Sequence, residues 1–191
     1  MLQAALEILA SEGLPGFTIE AIARQAGASK ATIYRHWGSA AALLIDAMDT
    51  TFRPLTAPTT GRLRSDLTQL LDGFVAMLRD TPFPRLMAAF IDAAERDPTL
   101  AGYHAELTQR RREPLLEVLK RARDRGEIPA TVDLELAVDL LAGPFFYNRF
   151  IAHRPIPGHF VANVVDHVLA AMSCVAPDER DSPNDRARRG E

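Results

Sequence analysis

Apolar residues recur along this chain mostly at helical spacing, three or four positions apart, and short polar or proline-containing segments separate the resulting stripes. A clear stripe within residues 63–79 consists of Leu67, Leu70, Leu71, Phe74, Val75 and Leu78. Further patterns of this kind predict helices over residues 1–11, 40–52, 85–96, 97–125, 134–152 and 159–176, together with two short helices inside 18–37. Runs with the alternation of a β-strand are few, so the pattern predicts an all-α fold.

The two short helices of residues 18–37, TIEAIARQAGASKATIYRHW, are joined by a tight turn. Thr18 and Ser29 stand at N-cap positions, where a side-chain oxygen accepts from a free backbone N–H. Gly27 can adopt the left-handed conformation that closes the first helix. The apolar face of that helix consists of Ile19, Ile22, Ala23 and Ala26.

The second helix of the pair has a buried side and a solvent side. Ile33 and Trp37, four residues apart, are predicted to form the buried side. The residues left for the solvent side are Ala31, Thr32, Tyr34 and Arg35. A short helix that presents small, hydroxyl, aromatic and guanidinium groups from a rigid support can enter the major groove of DNA.

Composition narrows the class of protein without selecting a function. With 47% hydrophobic and 25% charged residues, the chain has the composition of a soluble globular protein, and it contains no apolar run near the length of a membrane span. Its single cysteine, Cys174, excludes an internal disulfide and favours a cytoplasmic location. The net charge of −3 argues weakly against general nucleic-acid binding. The two-helix segment is nevertheless locally positive, because Glu20 alone opposes its cations Arg24, Lys30 and Arg35.

The two-helix segment resembles the helix-turn-helix of the tetracycline-repressor (TetR) family of bacterial transcription regulators. The residues that match the family's pattern are Thr18, Ile22, Ala23, Ala26, Gly27, Ser29, Thr32, Tyr34 and His36, with Trp37 in place of the usual Phe. Residues 143–149, GPFFYNR, are similar to a G-P-aromatic-aromatic-x-R step in the C-terminal domain of one TetR subgroup. The resemblance covers about residues 1–175.

This resemblance implies double-stranded operator DNA as a partner. The residues expected at the DNA are Thr18, Ser29, Lys30, Ala31, Thr32, Tyr34, Arg35 and His36. Arg35 has the geometry to bind guanine O6 and N7 with two hydrogen bonds, which is worth roughly 1–3 kcal/mol of base discrimination. Lys30 and the Tyr34 hydroxyl suit phosphate oxygens, which position a protein without reading sequence.

The resemblance also implies a pocket for a largely apolar small-molecule inducer in the remaining helices. Bulky aromatic and methionine side chains there suit an apolar cavity with a few polar groups. The residues expected to line it are Phe74, Met77, Phe90, Tyr103, His104, Phe145, Asn148 and Arg149.

The last two predicted helices are apolar on more than one side, which a monomer of this size does not need. Two such helices from each subunit could form a two-fold four-helix interface, so we expect a homodimer. The expected interface residues are Phe146, Phe150, Phe160, Val164, Val168 and Met172. The alternative for the same apolar residues is the internal core of one subunit.

The expected organisation is therefore an N-terminal three-helix helix-turn-helix DNA-binding domain over residues 1–45, a larger helical ligand-binding and dimerisation domain over 46–176, and a disordered polar tail over 177–191. The expected function is that of a repressor that binds palindromic DNA as a homodimer and is released by an inducer. The sequence does not distinguish a repressor from an activator.

Two departures from the family pattern motivate an alternative function. Ala40 occupies the position where the family usually has a phosphate-binding lysine, and the first predicted helix begins at Met1, whereas family members generally carry a further, often basic, segment before it. We therefore expect about two to three ionic contacts per subunit and a dimer log–log salt slope of about −4 to −5. The alternative is a helical small-molecule-binding dimer with weak or lost DNA binding.

Other kinds of site are not indicated. The chain has no Ser-His-Asp spacing in a strand–turn–helix context and no phosphate-binding glycine loop, so we expect no enzyme activity and no cofactor. The five histidines lack carboxylate partners at metal-binding spacing, so we expect no metal. We interpret the arginine run 110–112 as a solvated helix face paired with Glu106 and Glu113.

Overall fold

The computed structural model describes residues 1–51 and 53–174, and in that part of the chain the regular elements are all helices. They are α1 (Leu2–Gly16), α2 (Ile19–Ala26), α3 (Lys30–His36), α4 (Ala40–Thr51), α5 (Leu63–Asp80), α6 (Phe83–Arg96), α7 (Pro98–Asp124), α8 (Leu134–Phe146), a π-helical segment (Tyr147–Ile151) and α9 (Phe160–Ser173). The all-α prediction is confirmed. The predicted end of the fourth helix at Phe52 and the predicted tail 177–191 lie outside the described residues.

Helices α1 to α3 form the N-terminal unit, and local signals set their ends. Gly13 interrupts α1 with φ of 66°, a left-handed conformation that glycine adopts without steric cost. The Thr18 hydroxyl accepts a 3.1 Å hydrogen bond from the Ala21 N–H at the start of α2. Gly27, with φ of 61°, closes α2. Thr18 and Gly27 are at the capping positions that the sequence pattern predicted, whereas the interruption at Gly13 was not predicted.

Helix α4 connects this unit to the larger helical body. It packs against α1 on one side and against α7 on the other, and Leu43, Leu44, Ala47 and Met48 are buried there. The predicted domain boundary between residues 45 and 46 falls inside this continuous helix. A shift of the larger body can therefore be transmitted to the N-terminal unit along a rigid element.

The larger body consists of α5 to α9 around a shared apolar core. Helix α5 packs on α7 and α9, and α8 packs on both α7 and α9. The buried carboxylate of Asp66 in α5 accepts hydrogen bonds of 2.7 Å from both the N–H and the hydroxyl of Thr60, which holds the preceding loop on the helix. Glu127, after α7, accepts a 2.9 Å hydrogen bond from the Leu63 N–H at the start of α5.

The structure corrects several predicted helix boundaries. Helix α1 ends at Gly16 instead of at residue 11. Helix α6 begins at Phe83, two residues before the predicted start, with Pro84 in its first turn, where a missing N–H costs nothing. The helix predicted over 134–152 ends at Phe146 and continues as a π-helical turn, in which the Ala152 N–H donates to the Tyr147 carbonyl. This wider turn follows Pro144, whose ring removes one helical N–H donor.

Candidate nucleic-acid interface and ligand cavity

Helix α3 presents one anchored side and one open side. Ile33 is fully buried beneath it, whereas Tyr34 is 52% exposed and Arg35 and His36 are exposed beside it. The Ser29 hydroxyl caps the helix by accepting a 3.1 Å hydrogen bond from the Thr32 N–H. The side chains of this open side could therefore reach another molecule without any change in the core.

The hydroxyl groups of the predicted DNA-contacting residues already have structural roles. The Ser29 and Thr32 hydroxyl oxygens lie 2.9 Å apart, and the Thr18 hydroxyl caps α2. Thr18, Ser29, Lys30 and Ala31 are exposed, and Thr32 is partly buried. A phosphate that approaches either helix start would thus meet backbone N–H groups oriented by these caps.

Lys30 forms an ion pair with Glu20 of α2, which the sequence pattern did not indicate. Both side chains are more than half exposed, so water screens the pair. The hydrogen bond from Lys30 holds the pKa of the Glu20 carboxyl below its usual range. The positive charge of Lys30 is therefore partly neutralised within the protein.

Trp37, which directly follows α3, links that helix to α4. Its indole Nε1–H donates a 2.8 Å hydrogen bond to the carboxylate of Asp46 in α4. The Trp37 ring packs against the apolar core and lies 5.5 Å from the His36 ring. The orientation of α3 is consequently tied to α4 by a polar contact as well as by packing.

A partly open cavity of about 430 Å³ lies in the larger body, mainly between α5, α6, α7 and α8. Its walls are mostly apolar and include Leu70, Leu71, Phe74, Met77, Phe83, Met87, Ile91, Ala142 and Phe146. This volume and lining are typical of sites for small organic molecules. Polar groups enter the lining chiefly from one helix, α7, through His104, Thr108, Arg111 and Arg112.

The arginine run 110–112 is not the solvated face that the sequence suggested. Arg110 pairs with Asp49 of α4 at 2.9 Å, and Arg112 pairs with Glu135 at 2.7 Å and with Asp139 of α8. Arg111 turns inward, with its guanidinium carbon 4.9 Å from the Phe83 ring centre. The interpretation was wrong because the carboxylates that pair with this run lie on other helices, far away in the sequence.

The buried environment changes the acid–base properties of two α7 side chains at the cavity. Burial lowers the pKa of the Arg111 guanidinium to about 10, so the group stays cationic near neutral pH. Burial, and secondly the charge of Arg111, lower the pKa of His104, although Glu95 opposes this. His104 is therefore neutral near pH 7.

Three of the eight predicted pocket residues, Phe74, Met77 and His104, line this cavity. The other five lie elsewhere: Phe90 and Phe145 are fully buried in the core, Tyr103 contacts Phe90, and Asn148 and Arg149 lie on the π-helical segment. Sequence reasoning missed Thr108 and Arg111. Their spacing from His104, four and seven residues, was the signal that could have placed all three on one helix face.

The predicted interface residues lie largely inside one subunit. Val164, Val168 and Met172 of α9 are buried, and Phe160 packs against the core with its ring 5.3 Å from that of Phe145. Phe146 lines the cavity and stacks on Phe150 at 5.6 Å. The exposed apolar stripe of this region is instead on α8 and the π-helical turn, at Leu136, Leu140, Tyr147 and Ile151.

Two other kinds of site have no candidate among the described residues. No helix in that part of the chain is both long and apolar enough to cross a membrane. Residues 1–51 and 53–174 likewise hold no group of three or more His, Cys, Asp or Glu side chains placed to bind a metal ion.

A capped two-helix unit with an open second helix, joined by α4 to a helical body with a cavity, is the architecture of a helix-turn-helix regulator. Residues 1–47 match the model of the tetR family of bacterial regulatory proteins, and residues 57–168 match a tetracyclin repressor-like C-terminal domain. The chain belongs to the TetR family of bacterial transcriptional regulators.

Relatives from several bacteria support this membership. The chain is 32% identical over 176 residues to the DNA-binding transcriptional repressor TetR of Mycobacteroides abscessus, which covers 90% of this chain and 91% of that protein. It is 28% identical over 181 residues to the uncharacterized HTH-type transcriptional regulator YdeS of Bacillus subtilis, which covers 94% of this chain and 91% of that protein.

Solved structures of the same fold agree. The crystal structure of the TetR family transcription regulator SCO0332 superposes with a TM-score of 0.68 at 35% identity, covering 92% of this chain and 96% of that one. The regulator FadR from Bacillus subtilis, crystallised with stearoyl-CoA, superposes with a TM-score of 0.64 at 16% identity, covering 92% and 97% of the two chains. At that identity the second likeness concerns the fold alone.

Proposed function

We propose that this protein is a ligand-responsive repressor that acts on chromosomal DNA in the cytoplasm, binds a palindromic operator as a homodimer and leaves it when a small molecule enters the cavity. The observation that carries the DNA-binding part is the geometry of α3, whose core side is held by the buried Ile33 while Tyr34, Arg35 and His36 remain exposed. Such a helix can enter a major groove without unfolding anything beneath it.

In this proposal the exposed groups of α3 divide into reading and positioning roles. Arg35 reads a base edge, with guanine as the preferred partner, because its guanidinium can donate two parallel hydrogen bonds to one base. Thr32 contacts a phosphate or a thymine methyl, and Ala31 allows close approach. Lys30, the Tyr34 hydroxyl and the N–H groups at the starts capped by Thr18 and Ser29 hold phosphates.

The dimer of this proposal uses the exposed stripe of α8 and the π-helical turn. Leu136, Leu140, Tyr147 and Ile151 are 54%, 46%, 55% and 68% exposed, and their spacing places them along one side of the helix. Burial of such a stripe against its two-fold copy removes apolar surface from water. Since Val164 and Val168 already face the subunit's own core, α9 would contribute its other side.

Two polar contacts on α4 support a route from the cavity to α3. Asp46 accepts from Trp37 at the end of α3, and Asp49, nearly one turn further, pairs with Arg110 of α7. Arg110 precedes Arg111, which faces the cavity. A ligand that displaces α7 would therefore pull on α4 and change the separation of the two α3 helices from the roughly 34–36 Å that successive major grooves require.

Selection of binding sites from random duplex DNA tests this function. The purified protein and a variant with Thr32→Ala, Tyr34→Ala and Arg35→Ala would be compared at low salt, and circular dichroism would check that both are folded. An enriched palindrome that disappears in the variant is expected. Absence of enrichment for the unaltered protein would contradict operator binding and favour the alternative, a helical ligand-binding dimer without useful DNA affinity, which Ala40 and the Lys30–Glu20 pair motivate.

A further inference from the structure

The cavity extends to the chain segment that follows α4. Arg53, Pro54 and Leu55 line it beside apolar residues of α5. Helix α4 ends at Thr51, so this part of the wall lies within four residues of the end of that helix. A molecule in the cavity would therefore touch the segment that joins α4 to the larger body.

Leu55 is the residue of this segment that lies against the larger body. Its side chain is partly buried and packs against the apolar core. It rests on Gly73 of α5, where an added Cβ would lie 3.7 and 3.8 Å from the two Leu55 methyl carbons. An alanine at position 73 would touch these methyl groups at ordinary contact distance, whereas a longer side chain directed at them would need the space that they fill.

The chain beyond Leu55 is fixed to the larger body. The carbonyl of Pro58 accepts a hydrogen bond from the guanidinium of Arg121 in α7. Thr60 donates two hydrogen bonds of 2.7 Å to the buried carboxylate of Asp66 in α5. A displacement of Leu55 is therefore opposed on this side of the loop.

Between Leu55 and α4 the chain is short and stiff. Pro54 has its φ fixed by its ring and disfavours a helical conformation of Arg53. Helix α4 in turn packs against α1 of the N-terminal unit, and its Asp46 accepts the hydrogen bond from Trp37 at the end of α3. A displacement of Leu55 would thus be passed to α4 and from there to the unit that holds α3.

We infer that Leu55 decides which occupants of the cavity act on α4. An occupant large enough to push the Leu55 side chain off Gly73 moves the end of α4, whereas one that leaves Leu55 in place binds without effect. This inference rests on the proposed function, since it names the contact through which that site is regulated. A ligand shifts an equilibrium only by its different affinity for the two states, and the displacement of Leu55 is what makes the states differ for the occupant.

This steric link differs from the polar link already described. Asp49 connects α4 to α7 through Arg110, whereas Leu55 acts on α4 from the loop that follows it. The two links can therefore be removed separately.

Substitutions at Gly73 test the inference without any ligand. Gly73→Leu places side-chain atoms against the Leu55 methyl groups and should move the end of α4, whereas Gly73→Ala should not. The double variant Gly73→Leu with Leu55→Ala provides the missing space and should return α4 to its original position. Circular dichroism shows whether each variant is folded.

The position of α4 can be measured without DNA. Spin labels on Thr50→Cys, in the exposed last turn of α4, and on the native, exposed Cys174 after α9 report the distance between α4 and the larger body by double electron–electron resonance. Dilution with unlabelled protein restricts the measurement to distances within one subunit. On a selected operator, Gly73→Leu should also weaken binding by about five- to a hundredfold, the usual range of coupling between two sites.

A neutral fluorescent probe, N-phenyl-1-naphthylamine, tests the same contact in the occupied cavity. Its fluorescence rises in apolar surroundings, so a titration measures binding while the label distance measures the response. We expect the probe to bind both the unaltered protein and Leu55→Ala but to shift the distance only in the unaltered protein. Met77→Ala shortens another side chain that lines the cavity, on α5 instead of the segment after α4, and should keep the shift.

The outcomes are decisive in each arm. An unchanged distance in a folded Gly73→Leu, or a change that Leu55→Ala does not reverse, would overturn the inference; if Gly73→Leu does not fold, the probe decides. An equal probe-induced shift in Leu55→Ala, or no probe binding or shift in the unaltered protein, would also overturn it. The distance requires no operator, so this inference can hold when operator selection fails, and operator binding can hold when the distance does not respond.

Discussion

Arg110 of α7 and Asp49 of α4 form an ion pair, with 2.9 Å between the guanidinium Nη1 and the carboxylate Oδ1. The Arg110 guanidinium also lies 5.6 Å from the centre of the Tyr103 ring. Burial raises the pKa of the Tyr103 hydroxyl, and the nearby Asp49 carboxylate raises it further. Because the side chains of Arg110 and Asp49 are 42% and 40% exposed, the pair adds little to stability, but it forms a direct polar link between α7 and α4.

The first prediction concerns this contact. Asp49→Asn should reduce the effect of a ligand on DNA binding, because the direct polar link between α7 and α4 is then lost. The measured quantity is the ratio of operator dissociation constants with and without a saturating concentration of a small molecule that binds the cavity. We expect this ratio to fall toward one, while the operator affinity without ligand changes by less than about fivefold, since an exposed pair is worth under about 1 kcal/mol.

The matched control for this prediction is Arg96→Gln. Arg96 pairs with Asp92 within α6 at 3.0 Å, so the variant removes an exposed ion pair that connects no two helices. The ratio of operator dissociation constants for Arg96→Gln should equal that of the unaltered protein. An undiminished ratio in Asp49→Asn would show that the coupling between cavity and DNA does not pass through this contact.

The second prediction concerns the salt dependence of operator binding. With few phosphate-binding cations, the dimer should show a log–log slope of about −4 to −5, and Lys30→Ala should reduce its magnitude by about 2, one contact per subunit. Glu20→Gln should raise operator affinity at fixed salt, because Lys30 would no longer be held by a carboxylate. Fluorescence anisotropy at several salt concentrations measures both effects.

A slope that stays the same in Lys30→Ala would mean that Lys30 remains with Glu20 in the complex. The appropriate control is Arg64→Ala, which removes a cation from the outer surface of α5. Arg64 pairs with Asp166 of α9 and is far in sequence from α2 and α3. That variant should leave the slope unchanged.

The third prediction concerns the dimer. Leu140→Arg places a charge in the middle of the exposed α8 stripe and should convert the dimer to a folded monomer at about 10 μM, because an unpaired charge is costly in an apolar interface. Sedimentation velocity measures the association state, and circular dichroism measures the helix content. Val164→Ala, at a position that is only 8% exposed, should instead lower the melting temperature without changing the association state.

If Leu140→Arg sedimented as a dimer while Val164→Ala dissociated, the interface would have to include the α9 side that packs inward in this subunit. The two variants together therefore distinguish an interface on the exposed α8 stripe from the interface on α9 that the sequence suggested.

The fourth prediction concerns folding of the larger body. Asp66→Ala should lower the free energy of unfolding by about 1–3 kcal/mol, because the N–H and hydroxyl of Thr60 would lose a buried acceptor. Urea denaturation provides the measurement. Asp72→Ala, an exposed acidic position on the same helix, should change stability by less than about 0.5 kcal/mol, and an equal effect of the two variants would contradict the role of Asp66.

The fifth prediction follows from the lowered pKa of His104. The fold favours the neutral imidazole, so its contribution to stability is complete above the unfolded pKa of about 6.5 and is lost as pH falls through the folded value. The urea midpoint should therefore fall between about pH 7.5 and about pH 5 more in the unaltered protein than in His104→Gln. Equal falls in both proteins would show that His104 is not linked to folding in this range.

The sequence predicted the helix ends of the N-terminal unit, because contacts between nearby residues set them. Thr18 and Ser29 cap the helices that they were expected to cap, and Gly27 closes α2 in the left-handed conformation. Each of these signals acts within a few residues, so an amino-acid string contains all of the interacting groups. The exposed side of α3 follows in the same way from the spacing of Ile33 and Trp37.

The sequence predicted the helices of the larger body, but it did not predict which groups surround their side chains. The arginine run 110–112 is one string of identical residues, yet its three members meet α4, the cavity and α8. In α9, apolar residues such as Val168 that suggested a partner subunit face the subunit's own core. Periodicity shows that a helix has an apolar face, but it does not show which element covers that face.

The sequence by itself therefore determined the fold class, the capped helices α2 and α3 and the family, because these depend on short-range hydrogen bonding and on motif spacing. Only the tertiary structure decided that Arg111 faces a cavity, that Asp46 and Asp49 link α4 to the end of α3 and to α7, and that Leu140 stays exposed. The physical reason is that burial and ion pairing join groups up to about a hundred residues apart, and their energies depend on where the helices pack rather than on sequence order.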